Sequence, residues 1–164
     1  MFTPRAEAAD HHDSGRGVRC LHSGDRAGPG AVMKDRTATV VVERLDEASR
    51  PESGLSPEAV GHALRALEGS RDVTMIISPE GIDERLMAAI DRSHVFLALE
   101  RSDGLFQFLP GLHNKPEGTV LFEIGGQPTD IEAKYVLDLP TAAIVVAEWL
   151  EGGEWSTQGT WERR

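Results

Sequence analysis

Hydrolytic or transfer chemistry needs a nucleophile held against a base, or a cage of metal ligands. Histidine is the side chain best placed to move protons near neutral pH. Beyond the first 32 residues it occurs at His62, His94 and His113, and the three are widely separated. None forms the two-histidine helical pair of a zinc protease. His62 falls in a helical pattern and His94 opens a strand, where each reads as an ordinary surface or partly buried histidine. His113 stands in a loop beside Asn114 and Lys115, and with Asp130 and Glu132 it makes the one enzymatic alternative worth weighing. Carboxylate pairs such as Glu100/Asp103 and Asp130/Glu132 are what acid–base work requires, but pairs of this kind arise by chance in so acidic a chain. Gly125-Gly126 lacks the Lys-Ser/Thr pair and the helix start of a phosphate cradle, and no Gly-Xaa-Ser-Xaa-Gly elbow occurs. Cys20 is the single cysteine, so neither a disulfide nor a zinc clip is available within the chain. His11-His12 and Cys20 make metal binding near the N-terminus conceivable, though a disordered leader is the stronger reading. The expectation is a chain with no catalytic, cofactor or metal site, which acts by binding.

The elements that would carry such a surface begin with a strand over Thr37 to Leu45, where Val40-Val41-Val42 is β-branched. A Pro/Ser/Gly loop follows. Ser56 as N-cap, Pro57 in the first turn and Gly69 as the stop predict a helix near 57–68. Val73 to Ser78 is apolar on both faces and reads as a central strand. Ile82, Leu86 and Ile90 repeat every four residues, which predicts a short helix within Pro79 to Arg92, the second option being an extended segment that leads into the following hairpin. His94 to Glu100 and Leu105 to Leu109, joined through Ser102-Asp103-Gly104, predict a hairpin. Thr119 to Ile124 is a further strand ended by Gly125-Gly126, and Gln127 to Val136 reads as an irregular connection, in part extended. Pro140 opens a second helix near 140–151, Gly152-Gly153 ends it, and Trp155 to Trp161 returns as a short strand. The predicted class is α+β, a mainly antiparallel sheet with two helices packed on it.

The chain of 164 residues fits one domain, expected over 33–164. Residues 1–32 show no amphipathic period and read as a disordered arm, or as a leader ahead of a true start at Met33. The N-terminus lacks the apolar middle of a secretion signal, and the lone cysteine suits a reducing compartment, so a cytoplasmic location is expected. The net charge is −10, from 17 basic and 27 acidic residues. Four of each lie in residues 1–32, so the whole excess falls on the segment expected to fold. Such a surface repels nucleic acid and anionic lipid and attracts a basic partner. Acids on turns and loops, Glu100, Asp103, Glu117, Asp130 and Glu132, are the candidate contacts, with Trp155 as a possible anchor.

The C-terminal half resembles an immunity-protein family of bacterial polymorphic toxin systems, the one accompanying deaminase-type toxins. The resemblance lies in Val120-Leu121-Phe122-Glu123-Ile124-Gly125, Leu139-Pro140 through Glu148-Trp149-Leu150, Gly152-Gly153-Glu154 and Trp161. It covers about residues 94–162, and the hairpin from His94 to Phe108 looks like the family's central strands. It implies structural roles for Gly125, Pro140, Gly152, Gly153 and Trp161. It also implies a non-enzymatic antidote that binds its cognate toxin, a basic protein, and blocks the active site. A small acidic regulatory or chaperone-like binding module is the alternative of a different class.

Overall fold

The computed structural model describes residues 36–44, 47, 49–111, 116–153 and 156–164. Expectations for residues 1–32, including His11, His12 and Cys20, and for His113 and Trp155, lie outside the described residues.

Eight strands form one antiparallel sheet. β1 (Ala38–Arg44) lies between β2 (Pro51–Leu55) and β3 (Val73–Pro79), and β3 continues through β4 (Arg85–Asp91) to β5 (His94–Arg101). Beyond β5, its C-terminal half pairs with β6 (Gly104–Pro110) and its first three residues with β9 (Val136–Asp138), so the two neighbours share one edge end to end. β10 (Gly159–Arg163) closes that side against β6. A separate hairpin, β7 (Thr119–Ile124) and β8 (Gln127–Glu132), is joined to β9 by a 3-10 turn at Ala133–Tyr135.

The middle stretches of the central strands, such as Met75-Ile76-Ile77, Leu86 to Ile90 and Val95 to Leu99, are apolar on successive residues, so both sheet faces are covered and three layers result. On one face Val73, Met75 and Ile77 of β3, Leu86, Ala88 and Ile90 of β4 and Val95, Leu97 and Leu99 of β5 meet the two helices. α1 (Pro57–Arg65) presents Val60 and Leu64, and α2 (Leu139–Leu150) presents Ala142, Val145, Val146, Trp149 and Leu150. The helices touch each other where Gly61 leaves room for Ala143; a Cβ at Gly61 would lie 3.9 Å from the Ala143 carbonyl oxygen. On the other face Ala89, Phe96 and Ala98 receive Phe122 and Ile131 from the β7–β8 hairpin.

The α+β architecture, the central place of β3 and both helices match the sequence reading. Ser56 caps α1, its hydroxyl accepting from the Ala59 N–H at 3.2 Å. α2 starts one residue earlier than expected, because Asp138 caps it by accepting from the Thr141 N–H at 2.8 Å, with Pro140 in the first turn. Three expectations are corrected. The helix expected first within Pro79 to Arg92 gives way to the second option, an extended segment: it is strand β4, whose four-residue spacing of Leu86 and Ile90 comes from a two-residue alternation that passes through Ala88. The Pro/Ser/Gly loop contains β2, a short edge strand that pairs with β1 and carries Pro51 where no ladder donor is needed. The irregular connection after Gly125-Gly126 is β8: both glycines have positive φ, +58° and +77°, which gives the tight two-residue hairpin turn. The final strand begins at Gly159, later than expected.

Candidate protein-binding surface

The structure divides the carboxylates expected at an interface between two hairpins. Along β7–β8 the side chains alternate, so Val120, Phe122 and Ile131 point to the sheet while Leu121, Asp130 and Glu132 point away. Asp130 lies opposite Leu121 and Glu132 opposite Thr119, and Glu117 stands exposed just ahead of β7. Leu121, 60% exposed, is the most exposed large apolar side chain among the described residues. Glu132 also receives the Lys134 ammonium at 2.8 Å. That bond first, and then the hydrogen bond to the Tyr135 side chain, raise the Lys134 pKa; the ammonium also lies 4.7 Å from the centre of the Tyr135 ring.

Glu100 and Asp103 lie on the β5–β6 hairpin. Glu100 sits opposite Arg85, 3.6 Å between Oε2 and Nε, and Asp103 is 3.6 Å from Arg101. Arg101 also reaches Glu84 at 3.2 Å and lies 5.7 Å from the centre of the Phe106 ring. These two acids are therefore partly neutralised within the molecule.

The sequence reading missed a second set of acids on the sheet face that the β7–β8 hairpin covers only in part. Beside the hairpin, β1 and β3 turn the half-buried Val41 and Ile76 outward and leave a depression of about 540 Å³, bordered by Glu43, Asp83 and Glu84. A second depression of about 310 Å³ runs from Glu43 and Thr74 to Asp72, Glu123 and the Gly125-Gly126 turn. Glu43 lines both. The signal that could have found it is the alternation along β1, which sends Val41 and Glu43 to the face opposite Val40.

Of the residues implied to be structural, Gly125 lies in the β7–β8 turn, Pro140 and Gly152 lie at the two ends of α2, and Trp161 lies within β10. Gly152 takes φ +91° beneath the Arg36 guanidinium. Glu148 then ties the helix to the last turn: its carboxylate accepts from the hydroxyls of Ser156 at 2.5 Å and Thr157 at 2.6 Å and from the Thr157 N–H at 3.1 Å. Burial pushes this carboxyl up, but the hydrogen bonds outweigh it and hold the pKa below the ordinary value. Gly159 must lack a side chain, since a Cβ there would lie 2.2 Å from the Leu109 carbonyl oxygen. This close approach lets Trp161 meet Phe108 edge-on, with ring centres 5.1 Å apart.

Among the described residues no group of three His, Cys, Asp or Glu is placed to hold a metal ion. Of the alternative trio His113, Asp130 and Glu132, the two described members lie on the outward face of β8, away from any depression described above. No described helix is long and apolar enough to cross a membrane. Comparison of the chain with models of protein families, with curated proteins and with solved structures gives no match.

Proposed function

We propose that the chain is an immunity protein, an antidote that binds a cognate toxin domain and covers its active site without catalysis. The observation that carries this reading is the charge. The net −10 resides entirely in residues 33–164, and carboxylates are displayed on the outer hairpin face and beside it on the sheet. A toxin that modifies nucleic acid, as a deaminase does, must admit a polyanion, and its mouth is accordingly basic. An acidic protein complements such a mouth, with fast association that weakens as salt rises. The motif resemblance around Gly125, Pro140, Gly152, Gly153 and Trp161 supports the same reading. The antidote would meet its toxin in the cytoplasm.

Co-expression with the product of the neighbouring gene, in a host that the product alone kills, tests the proposal. Restored growth, together with a stoichiometric complex of the two purified proteins that dissociates in high salt, is the expected result. A neighbour without toxicity, or toxicity that the chain does not relieve, would remove the immunity reading.

A further inference from the structure

The two depressions beside the β7–β8 hairpin share Glu43 and follow one another along β1 and β3, from Thr74 to Ser78; together they are called the trough. Its length follows from the strand it tracks. Thr74 to Ser78 spans four residue steps of β3, about 13 Å at roughly 3.3 Å per step. That suits an extended segment of about five residues better than a single side chain. The floor is apolar at Val41 and Ile76, with Ile82 at one end. The rim is acidic, and its balance decides the sign of the occupant. Arg44 is bound to Glu47 at 2.8 Å, Arg85 to Glu100 and Arg101 to Glu84, so each rim arginine is already engaged. Glu43, Asp72, Asp83 and Glu123 have no ion pair among the described residues.

We infer that this trough holds an extended, basic segment of the partner protein, its arginine or lysine stems lying on Val41 and Ile76 and its cations meeting Glu43 and Asp83. Long basic side chains combine an apolar stem with a charged head, which matches an apolar floor under a carboxylate rim. Arginine suits the rim best, because its planar fork binds a carboxylate through two hydrogen bonds. The inference rests on the proposed binding of a basic partner and locates its contact on the sheet face, where the sequence reading had placed it on acids of turns and loops, of which Glu100 also lines the trough.

The test titrates the nitrogen-15-labelled full chain with nona-arginine and follows the amide resonances. Shifts centred on Val41, Ile76, Ser78 and Gly126 are expected. The double variant Glu43→Gln/Asp83→Asn should lose roughly five-fold in affinity, in line with two exposed charge pairs. Shifts centred on Leu121 and Asp130, or spread evenly over every carboxylate, would overturn the inference, as would unchanged affinity in the double variant. The outcome is separable from that of the growth assay. A chain that rescues growth while nona-arginine maps to the outer hairpin keeps its function and loses the trough. A trough that binds nona-arginine in a chain that rescues nothing keeps the site and loses the toxin.

Discussion

Glu148 concentrates at one side chain the attachment of the chain's last turn to α2. Its carboxylate accepts three hydrogen bonds from Ser156 and Thr157, and they hold it ionised against the burial that opposes its charge. A carboxyl whose pKa is lower folded than unfolded stabilises the fold above its unfolded value, and that stability is lost as pH falls through the folded value. With an ordinary value of 4.5, the contribution is complete at neutral pH and fades below about pH 4.5. Glu148→Gln should therefore be less stable than the natural chain by about 1 kcal/mol at pH 7. Urea unfolding at stepped pH should show the two converging as the medium is acidified towards pH 3 (roughly the lower end of the carboxylate range). A gap that stayed constant over that range would mean that shape, and not charge, makes the attachment.

The β7–β8 hairpin is the element on which the second core depends. Phe122, 1% exposed, lies 6.4 Å centre to centre from Phe96 and is the largest side chain the hairpin buries. Truncating a buried phenylalanine costs about 3–5 kcal/mol. Because the helices pack on the opposite face, Phe122→Ala should loosen the hairpin more than the helix layer. Native-state hydrogen exchange should show β7 and β8 losing protection well before Val145 and Val146 of α2. Equal loss in both layers would show that the sheet couples them into one cooperative unit. Strand β7 was legible in the sequence, whereas β8 read as an irregular, partly extended connection for a physical reason. Pro128 and the exposed acids of β8 look like loop, and only the pairing of Ile124 with Gln127 across Gly125-Gly126 makes them strand. β4 was misread because a strand buried on both faces carries no polar alternation, and Leu86 and Ile90 then imitate a helical repeat. The helices were legible because their signals are local: Ser56 and Pro57 at one start, Pro140 at the other, Gly152 at an end. The candidate acids were half legible. Turn residues such as Asp103 stand out, whereas Glu43 and Asp72 come together only when β1 and β3 pair and the hairpin folds over them.

Across the whole molecule, an excess of like charge weakens the folded state by self-repulsion while favouring an oppositely charged partner. The carboxylates of the trough bring both effects to one place: Glu43, Asp72, Asp83 and Glu123 line it without ion-pair partners among the described residues. If they serve binding and not folding, removing charge from them should help the isolated chain. Glu43→Gln/Asp83→Asn should then melt a few degrees higher than the natural chain at about 20 mM sodium chloride, where screening is weak. The difference should shrink at about 300 mM, since salt already screens the repulsion that the substitutions relieve. Natural-chain stability should itself rise over the same interval. A double variant that melts lower at both salt concentrations would mean that Glu43 and Asp83 support the fold, and the trough would lose its claim to be a surface held ready for a basic partner.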